Sequence, residues 1–317
     1  MVPQENKITS KIQPVSLKAL TERNVSFSIK REDLLHPVIS GNKYRKLYFN
    51  IKEAKRLGKK ILITFGGAFS NHILATAGAG EKFDFETIGI IRGDELGKNI
   101  EKTLSENPTL RAAHKMGMEL KFVSRTEYRK KESPEFIKTL ETLYPEAYIL
   151  PEGGTNDLAI QGCEQIIDTE TTQFDYICVA VGTGGTISGI IKASREKQTI
   201  LGFPALKGNF LEEIVQNHVA PKSNWKLETA FHFGGYAKIN EELITFINNF
   251  KIETGIQLDP VYTGKMMFGI LKLIEKDYFP EHAKIIAIHT GGLQGIEGMN
   301  TLLNKKGLPL LNTEINE

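Results

Sequence analysis

Short runs of apolar, largely β-branched residues recur along this chain, each about as long as one strand of a sheet. They cover residues 60–66, 87–93, 120–124, 147–151, 176–182, 199–205, 229–233 and 284–290. Most are followed by a segment with helical periodicity, and several end directly in glycine. Strands that are apolar on both faces and alternate with helices are typical of parallel sheets covered by helices. The sequence therefore predicts an α/β protein of open, mostly parallel twisted sheets flanked by helices.

The chain has 317 residues, which is long for one compact unit and predicts two domains. The runs between residues 60 and 151 are expected to form one sheet, and the later runs with the N-terminal segment the other. We therefore predict a larger domain from residues 1–49 and 155–317, and a smaller α/β domain from residues 50–154. In such sheets, ligands bind where loops leave the carboxyl ends of strands, which is where the glycines of this sequence lie.

The composition is ordinary for a soluble globular protein and disfavours several classes. A net charge of +2 gives no broad attraction to nucleic acid or to a membrane surface. The two cysteines, Cys163 and Cys178, lack metal-ligand spacing and are expected to be reduced core thiols. Residues 1–10 lack the apolar core of a signal peptide, and no window reaches about 18 unbroken apolar residues. We expect a cytoplasmic protein without a metal site.

A glycine-rich turn at residues 179–189 is suited to hold a phosphate. A buried strand there passes into a helix through glycines and threonines, and the free N–H groups of that helix attract an anion. The dinucleotide fingerprint fits poorly, because its third glycine is expected earlier and no acid stands at the ribose position. A tight strand-to-helix turn without a ligand is the simpler alternative. The candidate anion site comprises Gly182, Thr183, Gly184, Gly185 and Thr186.

Lys43 is the candidate nucleophile. It follows a Gly41-Asn42 turn at the start of a predicted helix, and Arg45 and Lys46 place positive charge nearby. Such charge is expected to lower the pKa of the amine toward its neutral, nucleophilic form. Taken alone, this run also fits a surface lysine. An amine that can form an imine with an aldehyde and a separate phosphate anchor are together what an enzyme needs to hold pyridoxal 5'-phosphate (PLP).

Residues 64–72 form another junction of strand, glycines and helix. Ser70 or Asn71 is expected to cap the helix, whose free N–H groups could take a substrate carboxylate. His72 is a candidate general base, with a packed histidine at a helix start as the alternative. Three more polar residues stand at strand ends or loop-to-helix transitions, where turn chemistry alone also explains them: Tyr236, Tyr262 and Thr290.

The sequence resembles the PLP-dependent family of 1-aminocyclopropane-1-carboxylate (ACC) deaminase and D-cysteine desulfhydrase, a tryptophan-synthase-β-like branch of fold type II. The resemblance covers residues 30–295 and rests on an ordered set of motifs. They are Lys-Arg-Glu-Asp-Leu at 30–34, Gly-Asn-Lys-Tyr-Arg-Lys-Leu at 41–47, Ser-Asn-His at 70–72 and Gly-Thr-Gly-Gly-Thr at 182–186. It implies that PLP lies in the cleft between the domains, and that the protein is a homodimer acting on a small amino acid.

The resemblance also implies a role for each candidate. The cofactor would form an imine with Lys43, meet Asn71, bind its phosphate to the 182–186 loop and place its ring nitrogen at Thr290. The substrate carboxylate would be bound by Ser70, Asn71 and His72. The catalytic set would be Lys43, Ser70, Tyr236 and Tyr262.

Departures from the family pattern bear on the reaction. The deaminase branch is expected to carry a glutamate after the second tyrosine, where this chain has Thr263. With Thr263 and Thr290 near the ring nitrogen, the ring is a weaker electron sink, which favours β-elimination over opening a cyclopropane. Phe69 also departs from the pattern, and a pocket closed by Phe69 would make the chain a non-catalytic PLP carrier.

We therefore expect a PLP-dependent lyase that carries out α,β-elimination from D-cysteine to pyruvate, ammonia and sulfide. The alternative is ACC deaminase activity, which gives 2-oxobutanoate and ammonia. The remaining alternatives are a non-catalytic PLP-binding protein and a nucleotide-binding α/β protein, the latter leaving the Lys43 run without a role. No nucleic-acid or membrane partner is expected.

Overall fold

The structure is a computed structural model that describes residues 8–313, and its strands form two separate sheets. One sheet has the strand order β1-β2-β10-β7-β8-β9 and the other has the order β5-β4-β3-β6. Within the described residues only β1 is antiparallel, to β2. The strands are β1 (Ile12–Val15), β2 (Ser26–Lys30), β3 (Ile61–Gly66), β4 (Glu86–Arg92), β5 (Glu119–Val123), β6 (Ala147–Ile149), β7 (Tyr176–Val181), β8 (Thr199–Pro204), β9 (Trp225–Leu227) and β10 (Lys284–Ile288).

Helices cover both faces of each sheet, so the predicted α/β class is confirmed. In the larger sheet α1 and α11 to α13 pack on one face and α8 to α10 on the other. In the smaller sheet α2, α3 and α5 lie opposite α6 and α7. The helices are α1 (Lys18–Glu22), α2 (Asn42–Arg56), α3 (Asn71–Phe83), α4 (Ile100–Glu106), α5 (Pro108–Lys115), α6 (Arg125–Tyr128), α7 (Pro134–Leu143), α8 (Asp157–Glu164), α9 (Gly185–Ala193), α10 (Phe210–Val219), α11 (Glu241–Thr254), α12 (Thr263–Glu275) and α13 (Gly295–Lys305).

The central strand β7 shows why the strands are apolar on both faces. Ile177 and Val179 belong to the core beneath α9 and α10, whereas Cys178 and Ala180 belong to the core beneath α11 and α12. Successive side chains of a strand point to opposite faces, so a strand covered on both faces needs an unbroken apolar run. Cys178 and Cys163 are both buried free thiols, as predicted.

The predicted strand at residues 229–233 is wrong. Thr229–Phe231 form a single turn of 3-10 helix, and the edge of the sheet is instead β9, which pairs with β8. Phe233 has a φ of 53°, which a strand does not allow. The aromatic residues of this run are apolar because they pack: Phe231 against Phe203, and Phe233 against Phe268. Apolar spacing alone does not separate such a packed loop from a strand.

The predicted domain boundaries, residues 1–49 with 155–317 and residues 50–154, stay a prediction. The first boundary falls inside α2, whose Leu47 and Ile51 pack in one core with Leu62 of β3. No helix of the described chain is both long and apolar enough to span a bilayer. Of the polar N-terminal segment, residues 1–7 lie outside the described residues.

Candidate active site

The carboxyl ends of β3, β7 and β10 converge on one cavity between the two sheets. Loops at these strand ends, the first turn of α2 and two tyrosine-bearing loops form its walls. Gly185 is the first residue of α9, immediately behind the wall. The other predicted site residues all line the cavity: Lys43, Ser70, Asn71, His72, Gly182, Thr183, Gly184, Thr186, Tyr236, Tyr262 and Thr290.

The turn that leads into Lys43 packs against the end of β10. Gly41 has a φ of 63°, and a Cβ atom built on it would lie 1.9 Å from the carbonyl oxygen of Thr290. Only glycine allows the two backbones to come this close. The contact places the first turn of α2, and with it Lys43, beside Thr290 in the cavity wall.

The amide side chain of Asn42 joins Lys43 to the 182–186 loop. The Lys43 Nζ atom donates to Asn42 Oδ1 at 3.1 Å, and Asn42 Nδ2 donates to Thr186 Oγ1 at 2.7 Å. Asn42 thereby fixes the amine relative to the first turn of α9. The nucleophile and the anion cradle, which are far apart in sequence, form one hydrogen-bonded unit.

Burial lowers the pKa of Lys43 to about 8, so about a tenth of this amine is neutral at pH 7, far more than at its ordinary pKa. Of the predicted cause, positive charge from Arg45 and Lys46, the contribution of Arg45 is wrong. Arg45 points away from the cavity and pairs with Glu32, with Nε and Oε2 at 2.7 Å. Burial is therefore the main reason that Lys43 can act as a nucleophile.

The glycines of the 182–186 loop each have a steric reason. A Cβ on Gly182 would lie 3.2 Å from Cε1 of Tyr262, and a Cβ on Gly185 would lie 2.8 Å from Cγ2 of Thr155. Gly184 has a φ of 85° and is the N-cap residue of α9. The backbone N–H groups at the start of this helix therefore face the cavity without side chains in the way, as an anion site requires.

Lys46 completes the anion side of the cavity, and the sequence prediction missed this role. Its Nζ atom donates to Gly153 O at 2.9 Å, Thr155 Oγ1 at 2.8 Å and Thr183 Oγ1 at 3.3 Å. Burial, and next the charge of Lys43, lowers the pKa of Lys46 to about 7. The i, i+3 spacing of Lys43 and Lys46 on one helix face is the signal that would have found it.

Ser70 is the N-cap of α3, as predicted, with its Oγ atom accepting from Ile73 N at 3.4 Å. A Cβ on Gly66 would lie 2.7 Å from the Ser70 Cβ atom, so the chain turns tightly between β3 and the helix. Asn71 lies across from the loop after β10, close to Gly292. The N–H groups in the first turn of α3 thus face the cavity opposite the 182–186 loop.

His72 is fully enclosed, yet neither of its ring nitrogens has a hydrogen-bond partner among the described residues. The ring lies against Gly154, where a Cβ would come within 2.6 Å of Cε1. Burial lowers the pKa of His72 well below its ordinary value, and the charges of Lys43 and Lys46 lower it further. His72 is therefore a neutral imidazole that lines the cavity with unused donor and acceptor capacity.

Tyr236 and Tyr262 meet edge to face on the open side of the cavity, with ring centroids 6.2 Å apart. Burial raises the pKa of both phenols, that of Tyr262 the more strongly, so both stay protonated at neutral pH. Lys265, a second residue that the prediction missed, donates to the carbonyl oxygens of His232 at 2.9 Å and Gly235 at 2.8 Å. These bonds hold the loop that carries Tyr236.

Thr263 does not line the cavity, and the prediction that it faces the cofactor ring is wrong. Its Oγ1 donates to Asp259 Oδ2 at 2.6 Å, and its backbone N–H donates to the same oxygen at 2.8 Å. The other carboxylate oxygen of Asp259 accepts from the backbone N–H groups of Val261 and Tyr262. An aspartate just before a helix is a capping signal from which this arrangement could have been inferred.

Phe69 does not close the cavity. Its ring points away from the site and lies on α13, where a Cβ on Gly298 would come within 2.7 Å of the ring. About half of the Phe69 side chain is exposed. The departure at this position therefore leaves the space between Lys43 and Ser70 open.

The cavity fits PLP on three observations. A partly desolvated lysine amine is available for the aldehyde, a side-chain-free helix start with Lys46 beside it suits the phosphate, and His72 offers unpaired nitrogens to a ligand. A phosphorylated aldehyde needs both of these, an amine for its carbonyl carbon and a cradle for its phosphate.

Comparisons with known proteins point to the same cofactor. Residues 11–291 match the model of the pyridoxal-phosphate dependent enzyme family. The chain is 32% identical over 290 residues to a putative ACC deaminase of Pyrococcus horikoshii, covering 84% of each. It is 33% identical over 294 residues to the mitochondrial bifunctional D-cysteine desulfhydrase/ACC deaminase of Arabidopsis thaliana, covering 84% of this chain and 72% of the relative.

A solved structure shows the same fold. The crystal structure of an ACC deaminase homologue superimposes with a TM-score of 0.77 at 28% identity, covering 94% of this chain and 92% of that one. This likeness leaves no support for a nucleotide-binding protein of another family. The amine, the anion cradle, the family match and the shared fold agree, and the chain belongs to the pyridoxal-phosphate dependent enzymes, with PLP as its cofactor.

Proposed function

We propose that the enzyme carries out α,β-elimination from D-cysteine, giving pyruvate, ammonia and sulfide. The observation that carries this choice is the absence of Asp and Glu from the described residues that line the cavity. A carboxylate beside the ring nitrogen would keep the cofactor ring protonated, whereas the Thr290 hydroxyl does not. A thiolate that departs at once places less demand on the ring than the opening of a cyclopropane.

Asp259 is a buried carboxylate near the cavity, but it does not supply the missing acid beside the cofactor ring. Both of its oxygens already accept hydrogen bonds from the first turn of α12 and from Thr263. Those bonds stabilise the carboxylate where it is and leave it no vacant lone pair directed at a ligand. The hydroxyl of Thr290 is thus the polar side chain at the end of β10 that faces the cavity.

The residues divide the chemistry as follows. PLP, when bound, supplies an electron sink for the α-carbon of the substrate. Lys43 Nζ takes the α-proton, while the N–H groups at the start of α3, with Ser70 and Asn71, bind the substrate carboxylate. Tyr236 or Tyr262, each kept protonated by its raised pKa, can donate a hydrogen bond to the departing sulfur.

ACC deaminase activity is the second candidate. It is favoured by the names of the two relatives, one of which carries both activities in a single chain. The same Lys43, Ser70 and Asn71 would then bind ACC, and the product would be 2-oxobutanoate.

An assay of 2-oxo acid release by the purified holoenzyme decides between elimination from D-cysteine and deamination of ACC. D-cysteine, L-cysteine, D-serine and ACC are compared at equal concentration, with sulfide measured in parallel. We expect kcat/KM to be highest for D-cysteine. A higher kcat/KM for ACC would refute elimination as the main activity and would support the second candidate.

We also propose that the enzyme is a cytoplasmic homodimer, because the family it resembles forms dimers and its composition is that of a soluble protein. Light scattering at micromolar concentration should give about twice the 35.4 kDa mass of the chain. A mass of one chain would refute the dimer.

A further inference from the structure

A second cavity, of about 530 Å³, lies beside the active site and has no part in the reaction described above. It opens where the smaller sheet ends, between the loop after β3 and the turn after β6. Six charged side chains line it: Arg92, Glu95, Arg125, Arg129, Lys131 and Glu152.

The charges of this second cavity do not cancel. Glu95 pairs with Arg125 at 2.5 Å, and Glu152 accepts from the Tyr128 hydroxyl and pairs with Lys131 at 3.2 Å. Both carboxylates are therefore engaged by neighbours. Arg92 and Arg129 remain, and neither forms an ion pair with any residue of the described chain. The cavity holds two guanidinium groups whose charge has no counterpart in the protein.

Arg92 lies in the second cavity, next to the loop of residues 67–70 that separates it from the active site. Its Nη2 atom is 3.4 Å from the position of a Cβ on Gly67, and the Gly67 carbonyl accepts from the Ser70 N–H at 3.0 Å. Its guanidinium lies over the ring of Tyr128, with Cζ 5.7 Å from the ring centroid. Its charge reaches Tyr236, where it opposes the effect of burial, which raises the pKa of that phenol.

We propose that Arg92 and Arg129 form an anion subsite for the far end of the substrate side chain. The enzyme would then take amino acids whose β-sulfur carries a short substituent ending in a carboxylate. This inference rests on the proposed elimination. The amino acid end lies between Lys43 and Ser70, and the substituent passes the 67–70 loop to reach the two guanidinium groups. Arginine suits this purpose because its planar fork binds a carboxylate with two parallel hydrogen bonds.

The reaction with such a substrate balances without a co-reactant other than water. The α-proton leaves, the Cα–Cβ double bond forms and the Cβ–S bond breaks, so the substituent departs as a thiolate that takes up a proton. The remaining enamine reacts with water to give pyruvate and ammonia. From S-carboxymethyl-D-cysteine the departing product is thioglycolate.

Two ligands that differ only in charge test the subsite. S-carboxymethyl-D-cysteine and its uncharged amide, S-carbamoylmethyl-D-cysteine, are titrated into the holoenzyme by calorimetry, and their turnover is measured as pyruvate release. We expect the carboxylate to bind about 5- to 10-fold more tightly than the amide, and Arg92→Gln to remove that preference. Arg125→Lys is the matched control, since it changes an arginine of the same cavity and leaves a positive charge to pair with Glu95. It should keep the preference.

Equal affinity for the two ligands, or a preference that survives in Arg92→Gln, would overturn the subsite. A titration with inorganic phosphate alone is the second arm. Binding of phosphate that needs Arg92, without any preference for the carboxylate ligand, would assign the cavity to a free anion and likewise overturn it. The proposed function fails separately: a preference without turnover of either ligand or of D-cysteine would refute elimination and leave the subsite standing.

Discussion

The two sides of the active-site cavity differ in how far the protein satisfies its own polar groups. On the anion side, Lys46, Thr155 and Thr183 bond to one another, and the Thr155 and Thr183 hydroxyls are 2.6 Å apart. On the substrate side, the Ser70 cap bond is long at 3.4 Å and both nitrogens of His72 lack partners. The polar groups of the anion side are thus paired within the protein, whereas those of the substrate side are only partly paired.

This difference teaches which step each side serves. A network that is already bonded needs little rearrangement to receive a phosphate, so the anion side is preorganised for the cofactor. Unpaired buried groups cost free energy until a ligand pairs with them, so the substrate side is stabilised by what binds there. Changes on the anion side should weaken cofactor retention, and changes on the substrate side should act on substrate affinity or on stability without ligand.

Lys43 belongs to both sides, and its loss should have the largest effect. We expect Lys43→Ala to lower kcat by at least about 10³-fold, because the covalent link and the proton acceptor are lost together. The preorganised anion side should still hold PLP without a covalent bond. Borohydride reduction and peptide mapping should label Lys43 in the parent and nothing in the variant. A label on another lysine, or near-normal turnover in Lys43→Ala, would contradict the assignment.

Gly184→Val tests the anion side. The side chain would press on Ile214 and Val215 of α10 and strain a φ of 85°, which displaces the helix start that receives the phosphate, so we expect PLP affinity to fall roughly 10²-fold. Equilibrium dialysis of the cofactor measures the loss. Gly255→Val is the matched control for strain, because Gly255 has a φ of 70° with open space around it at the end of α11. PLP affinity should be unchanged there; equal losses in both variants would mean that the 182–186 loop is not the phosphate site.

The pKa of Lys43 sets the pH dependence of reconstitution. A pKa of about 8 makes about 9% of the amine neutral at pH 7 and about 90% at pH 9. Since only the neutral amine attacks the aldehyde, the rate of PLP uptake by cofactor-free protein should rise about tenfold over this range and then level off. A peptide lysine of ordinary pKa, mixed with PLP as a control, should keep rising above pH 9. A protein rate that also keeps rising would show that Lys43 is not desolvated.

His72→Leu should have the smallest of these effects, and it tests the difference between the two sides of the cavity most directly. Replacing an unpaired buried imidazole by an apolar side chain should stabilise the cofactor-free protein by about 1 kcal/mol, while KM for the amino acid rises. His289 is the matched control, a buried histidine whose ring is bonded to Gln257 O at 2.7 Å and to Gly291 N at 3.2 Å. His289→Leu should destabilise. Urea denaturation of both variants measures the two signs, and destabilisation by His72→Leu would refute an incomplete substrate side.

The sequence predicted the parts of the site that lie at strand ends. The 182–186 loop and the Ser70 junction each follow a buried strand, so the geometry of a parallel sheet brings them together without further information. Lys43 needed its partner loop to be recognised, because a lysine at a helix start is ordinary by itself. The orientation of these elements follows from local pattern and general rules of sheet topology.

The errors concern where side chains point. Arg45 pairs with Glu32, away from the cavity, and Thr263 bonds to the buried carboxylate of Asp259. No local sequence pattern states which partner a polar residue takes. Phe233 is apolar for packing against Phe268 in a loop, so its hydrophobicity imitates a strand. These choices depend on tertiary contacts that periodicity does not contain.

The close approach of Gly41 to Thr290 has a consequence for how the protein is made. β2 pairs with β10, the last strand of the described residues, and the turn before Lys43 packs against the end of that strand. Residues 41–43 are therefore synthesised long before the end of β10, against which they pack. Contacts of such long sequence separation form late. Lys43 therefore takes its place in the cofactor cavity only once β10 has formed.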